Sequence, residues 1–332
     1  MSPPRVWWVT TGHAGFRSQA LGLVNTLGLE AEEKTIELKA PWSLLPPALW
    51  RTVLAKLDPA KDRLAPPWPD LIISCSRRAA RVAIAVKRAS GGQTLAVHIQ
   101  NPLAPLDEFD LVVPMRHDRV SGLNVIAVDT ALHDVGPAKL AAAADLWRSR
   151  LSHLPRPLTG VLLGGSTRQH PFTIPQAQTL INRLNAVRGA GGVVITPSRR
   201  TPEPVKALVH AAFDGDPSAW VWDGQGDNPY LGILALSDRL VATGDSVSMV
   251  SEAVASGRPT AVLDLGGGAR HERFLSNLVE RRIVSRLDGS PWLEPPAHPV
   301  NATLAVAEAV RGLLASRGFT AGGVYTPTGI AG

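Results

Sequence analysis

The segment Val6–Leu29, VWWVTTGHAGFRSQALGLVNTLGL, decides how the chain is read. Its first five residues, Val6–Thr10, are β-branched and aromatic and suit a buried strand. A glycine loop follows, Thr11-Gly12-His13-Ala14-Gly15. Ser18–Leu29 then places Ala20, Leu21, Leu23, Val24 and Leu27 on one side of a helix. Working outward, the same succession recurs. Strands are predicted at Leu71–Ser74, Leu95–Ile99, Leu111–Val113 and Val125–Val128, with a helix at Arg77–Arg88. Strands separated by helices imply βαβ units and a parallel sheet, an α/β fold.

Pro137–Arg150 is an alanine-rich helix with proline in its first turn. Ser152-His153-Leu154-Pro155-Arg156-Pro157 follows, and its two prolines mark the expected domain boundary. The alternation then restarts. Strands are predicted at Thr159–Leu163, Val193–Thr196, Trp220–Trp222, Arg239–Thr243 and Thr260–Leu263. Helices are predicted at Pro175–Val187, Pro202–Phe213, Pro229–Leu236, Val247–Ser256, Arg270–Arg281 and Asn301–Ser316. The expected organisation is a Rossmann-like domain over 1–153, a second over 158–317, and a loosely ordered tail over 318–332.

Composition bounds the class. At 332 residues the chain suits two domains, and 45% hydrophobic with 19% charged residues describes a folded protein. No stretch has the roughly 18 uninterrupted apolar residues of a membrane span, and the first residues lack the basic and apolar regions of a secretion signal. The single cysteine, Cys75, cannot form an internal disulfide or a cysteine-based metal cage. The expected compartment is the reducing cytosol. Net charge is +6, carried by 27 arginines and seven lysines. Arginine binds phosphate bidentately, which suits anionic ligands or lipid headgroups; a compositional bias with a solvated surface gives the same count. There is no basic run, zinc-finger spacing or stacking aromatic motif, so nucleic acid is not an expected partner.

In open α/β sheets, ligands bind at the carboxyl ends of strands, where helix N-termini present free N–H groups. Four such loops stand out: Thr11–Gly15, Gly164-Gly165-Ser166-Thr167-Arg168, Ser198-Arg199-Arg200-Thr201, and Thr243-Gly244-Asp245-Ser246 running into Val247–Glu252. Each also has a plain structural use. Gly12 and Gly15 serve a turn equally well, and Asp245 or Ser246 could only cap a helix. Arg199 and Arg200 stand beside a helix N-terminus, where their charge opposes the dipole, which favours an anionic ligand over surface decoration. Spacing alone reaches a phosphorylated ligand and no further.

The stretch Thr243–Pro259, TGDSVSMVSEAVASGRP, resembles the nucleotide-sugar-binding helix of GT-B glycosyltransferases, particularly the MurG-like group. That group opens its second domain on a Gly-Gly-Ser loop, as Gly164-Gly165-Ser166 does. Its donor helix carries Ser-Glu, matched by Ser251-Glu252, and a polar sugar-contacting segment is matched by His271-Glu272-Arg273 and Asn277. Over nearly its whole length the sequence is similar to the bacterial branch of the mitochondrial-fission ELM family, a set of glycosyltransferase-like proteins. The matching blocks are Gly12-His13-Ala14-Gly15 with Gln19–Leu23, Phe109–Pro114 with His117-Asp118, Gly164-Gly165, Ser198–Thr201, Asn228-Pro229-Tyr230 and Asp245–Glu252. The first loop departs from the pattern: relatives often begin it Asp-Gly-Arg, where this chain has Thr11-Gly12-His13.

The resemblance implies a GT-B-like fold, with two Rossmann-like domains whose parallel sheets face a central cleft. The second domain would hold a nucleotide-diphosphate sugar and the first an acceptor. It further implies glycosyl transfer without bound metal or other cofactor. Arg199 and Arg200, with backbone N–H groups near Gly165–Ser166 and Ser246–Ser248, would neutralise the diphosphate. Glu252 would take ribose hydroxyls, and Asn228 and Tyr230 would border the nucleobase. Asp245, Ser198, Ser251, His271 and Arg273 complete the donor side, and Gly12, Gly15 and Gln19 the acceptor-side loop. Candidates for the base are His13, His117 and Asp118.

Pro41–Leu57 combines Trp42, Leu44, Leu45, Leu49, Trp50, Val53, Leu54 and Leu57 with Arg51 and Lys56. An ordinary core helix is the first reading of this pattern and a peripheral anchor on an anionic membrane the second. The second would make the acceptor a lipid-linked sugar at the cytoplasmic face of the inner membrane. Two further readings stand beside the transferase: a non-catalytic adaptor that recruits a partner at a membrane, and a nucleotide-sugar epimerase.

Overall fold

The computed structural model describes residues 3–39, 50, 53–58, 64–166, 171–266, 268–289, 291–294 and 300–320. The chain divides into two compact units. Among the described residues, one holds everything up to Val128, Leu132–Asp134 and the stretch from Ala302 onward. The other holds Asp129–Ala131 and Val135–Asn301.

In the first unit β1 (Val6–Thr10) passes through the glycine loop to α1 (Ala14–Leu27) and β2 (Ala31–Thr35). The chain continues through α2 (Val53–Lys56), β3 (Leu71–Cys75), α3 (Arg77–Ala89), β4 (Leu95–Ile99) and β5 (Leu111–Val113). The five strands form a parallel sheet in the order β2-β1-β3-β4-β5. Alternation along β1 explains its two core faces. Val6 and Trp8 join the cluster that contains α1, while Trp7 and Val9 join the one that contains α3. Such two-sided burial is why the strand reads as a continuous apolar run.

Sequence reading overlooks β2. Its residues, AEEKT, are charged, as suits an edge strand, and the alternation of a half-buried strand is absent. The strand expected at Val125–Val128 makes only isolated bridges, Val125 to Val112 of β5 and Val128 to Met115 just beyond it. Of the Pro41–Leu57 stretch, residues 41–49, 51 and 52 lie outside the described residues. Trp50, Val53 and Leu57 are buried in the α3-side core, which is the ordinary core use of such a pattern.

The second unit contains α4 (Pro137–Leu151), β6 (Thr159–Leu163), α5 (Ile174–Arg188), β7 (Val193–Pro197), α6 (Glu203–Phe213) and β8 (Ala219–Val221). It continues with α7 (Tyr230–Leu236), β9 (Arg239–Thr243), α8 (Val247–Ala255), β10 (Thr260–Leu263), α9 (Ala269–Glu280) and β11 (Ser285–Arg286). All six strands are parallel, in the order β11-β10-β9-β6-β7-β8. The final helix among the described residues is α10 (Ala302–Ser316).

The division differs from the expected 1–153 and 158–317 in two elements. Helix α4 packs on α7 in the second unit. Gly232 makes room for it, because a Cβ there would strike the Trp147 ring. Arg150 on α4 is also ion-paired with Asp227 at 2.8 Å. Helix α10 returns to the first unit. Its Ala302, Val306, Val310 and Leu314 are buried in one cluster with Ala20, Leu23 and Leu27 of α1, and Arg311 donates to the Thr26 carbonyl at 2.6 Å. A proline-rich segment looks like a boundary, but apolar burial decides where a helix belongs. The passage between units runs through 129–135. There the Thr303 hydroxyl accepts the His133 N–H at 2.9 Å and donates to the His133 carbonyl at 3.0 Å. Within the expected tail, Phe319 packs on the first unit's core, and residues 321–332 lie outside the described residues.

Candidate functional site

In the second unit the chain runs β6, β7, β8 outward on one side, then returns to place β9 on the other side of β6. The carboxyl ends of β6 and β9 therefore flank the topological switch point, where ligands of open α/β sheets bind. Gly164-Gly165-Ser166 leaves β6 there, and Thr243–Ser246 leaves β9 into α8.

The glycine loop is pinned from both neighbouring strands. On the β9 side the Gly164 N–H donates to the Thr243 hydroxyl at 2.7 Å, and the Gly165 N–H donates to Asp245 Oδ2 at 2.8 Å. The Thr243 hydroxyl donates in turn to Asp245 Oδ1 at 2.7 Å. On the β7 side the Gly164 carbonyl accepts from the Ser198 hydroxyl at 3.0 Å and from the Thr201 hydroxyl. Both glycines are required. A Cβ on Gly164 would meet the Asp245 carboxylate, and one on Gly165 would meet the Arg200 backbone.

These bonds correct one expectation. The Gly165 N–H is committed to Asp245 and the Ser166 N–H to the Arg200 carbonyl at 3.3 Å, so neither is a free donor to a phosphate. The donors that remain are at α8. Ser246 caps this helix by accepting the Met249 N–H at 3.4 Å. The N–H groups of Val247 and Ser248 belong to the first turn, for which the helix supplies no acceptor.

Arg199 and Arg200 sit in the turn between β7 and α6, both exposed, before the first helical residue rather than within the helix. Arg200 Nη2 lies 4.0 Å from the buried Asp245 carboxylate. His271 of α9 closes the far side, with Nε2 at 2.9 Å from the Asp245 backbone carbonyl. A carbonyl only accepts, so Nε2 carries the proton in that contact. Arg200 thus lies near the Asp245 carboxylate and His271 on the Asp245 backbone carbonyl, beside the α8 N-terminus that Ser246 caps; the cations and helix N–H groups, not the carboxylate, suit an anion.

Glu252 and Tyr230 form a second pair in this unit. The Tyr230 hydroxyl donates to the Glu252 carboxylate. Burial, and then the neighbouring carboxylate, pushes the phenol well above its usual pKa, so the proton stays on Tyr230. Tyr230 therefore serves Glu252 here, not a base edge. Asn228 is exposed and accepts the Tyr230 N–H at 3.0 Å. Ser251 corrects another expectation. It is fully buried, donating to the Val247 carbonyl at 2.7 Å and accepting the Ala131 N–H at 2.9 Å, so it holds the chain passage and cannot reach a ligand. Arg273 is exposed on α9.

In the first unit His13 is the exposed N-cap residue of α1, with Nδ1 at 3.2 Å from the Thr11 hydroxyl. Gly12 has φ 78°, a left-handed conformation that favours glycine, and Gly15 is open. Gln19 is buried and donates to the Gly15 carbonyl at 3.0 Å. His117 is buried in a short 3-10 turn, Arg116–Asp118, with its Nε2 at 3.7 Å from Asp118 Oδ1.

Two residues that hold the site together escape sequence reading. Thr243 and Thr201 both stand inside the quoted loops, yet their hydroxyls read as ordinary turn polarity. Only the strand order shows that they reach the same glycine.

The two parallel-sheet α/β units have a GT-B-like fold. At the level of fold, the chain is similar to MurG of Acinetobacter baumannii, with TM-score 0.53, 12% identity and coverage of 93% of this chain and 100% of that one. It is equally similar to a chain assigned as UDP-N-acetylglucosamine 2-epimerase from Listeria monocytogenes, with TM-score 0.53, 11% identity and coverage of 96% and 97%. The family described as Mitochondrial fission ELM1 matches residues 14–314, and the chain belongs to that family. Mitochondrial fission protein ELM1 of Arabidopsis thaliana is 31% identical over 286 residues, 76% of this chain; the chain spans 65% of that relative's length.

Proposed function

We propose that the second unit binds a nucleoside diphosphate sugar and that the protein transfers its glycosyl group to a hydroxyl acceptor. The observation that carries this reading is the pinned Gly164–Gly165 loop at the β6/β9 switch point, with Arg199, Arg200 and the α8 N-terminus beside it. The arginines and the Val247 and Ser248 N–H groups would take the diphosphate. Glu252, held by Tyr230, would take the ribose diol. In transfer, the acceptor oxygen bonds to the anomeric carbon, the bond from that carbon to the diphosphate breaks, and the hydroxyl proton passes to a base. His13, exposed and unburdened by core packing, is the first candidate for that base; His117 is buried beside Asp118 and comes second. A glycan or lipid-linked sugar at a membrane is the acceptor class we assign.

The chemistry of the site favours a leaving group neutralised by cationic side chains and helix N–H groups, with no metal required. A second reading is a non-catalytic adaptor that keeps the fold and recruits a partner at a membrane; the Arabidopsis relative is named a mitochondrial fission protein.

The experiment is a thermal-shift series with UDP, GDP, CMP, dTDP and ADP. A ligand at a hundred times its dissociation constant stabilises the fold by about 2.7 kcal/mol. Arg200→Ala should weaken binding of the selected nucleotide by about 1.5–3 kcal/mol, the range of a charge-assisted hydrogen bond. No shift with any nucleotide on a cooperatively melting sample would turn the assignment to the adaptor.

A further inference from the structure

The second unit also carries a groove remote in sequence from the glycine loop, along the open edge of its sheet. Among the described residues, strand β8 ends the sheet and pairs with β7 alone. Trp220 of β8 lies against Trp147 of α4, with ring centroids 6.1 Å apart and planes at 37°. Beside them is a cavity of 480 Å³, within the range of small-molecule sites, about 300–1,000 Å³. Trp222, His153, His210 and Gln225 complete its polar and aromatic wall. A second cavity of 420 Å³ shares His210, Trp220 and Val221 and continues the groove past α6.

The chemistry of this wall is selective. Trp220 and Trp222 are half-buried and line the groove, and the Trp222 indole N–H is already taken by the Gln225 carbonyl at 2.8 Å. The Trp147 ring is backed by the Arg150 guanidinium at 4.7 Å, and that cation is itself engaged by Asp227. The remaining charges along the two cavities are carboxylates, Asp214, Asp216 and Asp223. Asp216 is tied to Arg188 at 2.8 Å. A phosphorylated ligand would therefore meet like charge, in contrast with the arginine-lined loops at the switch point. A pyranose ring has the opposite character. Its C–H face is apolar and suits an indole, and its hydroxyls both donate to carboxylates and accept from imidazole and amide groups.

We propose that the groove along β8 binds a neutral oligosaccharide, independently of the nucleotide site. Trp220 and Trp222 are the platform, and His153, His210, Gln225 and Asp223 read the hydroxyl rim. This inference does not rest on glycosyl transfer, and its readout uses no nucleotide.

The test is saturation-transfer difference NMR on the full chain with cellobiose, chitobiose, maltose and lactose. At least one should receive saturation on its ring C–H protons. The Trp220→Ala/Trp222→Ala variant should weaken that binding at least about tenfold, as removal of aromatic platforms predicts, while any nucleotide-induced thermal shift stays at the parental value. Trp222→Phe should retain binding. Should the double variant not fold, Trp222→Ala carries the same test, since Trp222 lies beyond the strand. Absence of transfer to all four sugars, or transfer that persists undiminished in the tryptophan variants, would overturn the proposal.

Discussion

Asp245 occupies the position that the Gly164 side chain would take: its carboxylate fills the space above the Gly164 Cα and accepts the Gly165 N–H at 2.8 Å. The two residues are mutually exclusive in size. Gly164→Ala should expel the carboxylate, break its bond to Gly165 and lower the melting temperature. Overpacking of this kind costs about 1–3 kcal/mol. Chemical denaturation of the variant measures it, and an unchanged midpoint would show that the loop yields instead.

Asp245→Asn separates charge from shape. The amide oxygen can still accept the Gly165 N–H, but it replaces two acceptors by one, so the buried Thr243 hydroxyl loses its acceptor and stability should fall by about 1–3 kcal/mol. The anionic ligand, however, no longer meets a buried carboxylate. Titration calorimetry with the selected nucleotide should show tighter binding by several-fold. Weaker binding would mean that Asp245 contacts the ligand favourably rather than only holding the loop.

Tyr230→Phe should act on the nucleoside and not on the phosphates. Glu252 loses the phenol that orients it, at a cost of about 1 kcal/mol typical of one hydrogen bond. Affinity for the nucleoside diphosphate should fall, while affinity for inorganic pyrophosphate stays at the parental value. Equal losses for both would place the Tyr230–Glu252 pair on the phosphate side.

His98 makes stability depend on acid. It is fully buried on β4 with Nδ1 at 2.8 Å from the Ser74 hydroxyl, and burial lowers its pKa from 6.5 to about 3. The unfolded chain therefore takes up a proton below pH 6.5 that the folded chain refuses until about pH 3. The stabilisation is complete above the unfolded pKa and is lost as pH falls through that window, by at most about 1.4 kcal/mol per pH unit. Between pH 7 and pH 5 the loss should be about 2 kcal/mol. Urea denaturation of His98→Asn at both values should show a difference smaller by that amount.

The architecture was legible where burial is two-sided. Val6–Thr10, Leu95–Ile99, Thr159–Leu163 and Arg239–Thr243 are strands with the expected ends, because parallel strands packed on both faces read as apolar runs. Charged β2 and two-residue β11 carry no such run. The donor-side loops were legible as loops, since glycine pairs and a Ser cap have local causes. Their inner wiring was not, because the bonds from Thr243 and Thr201 to Gly164 join strands separated by tens of residues. The same limit explains Ser251, whose buried hydroxyl answers to Ala131 far upstream. The domain boundary differs for a related reason: the place for the Trp147 ring is opened by Gly232, far downstream of the alanine-rich helix that carries it.

The return of α10 to the first unit sets an order of assembly during translation. Apart from Asp129–Ala131, the second unit runs from Val135 to Asn301, and it is fully synthesised before α10 is made. The first unit begins emerging earlier yet must wait. Until Ala302–Ser316 leaves the ribosome, Ala20, Leu23 and Leu27 of α1 lack the helix that shares their cluster. A nascent chain halted shortly before Ala302 should therefore be a ligand for chaperones that recognise exposed apolar helices, although most of its residues are already made. Strand β1 thus belongs to a unit that is completed only after the second one.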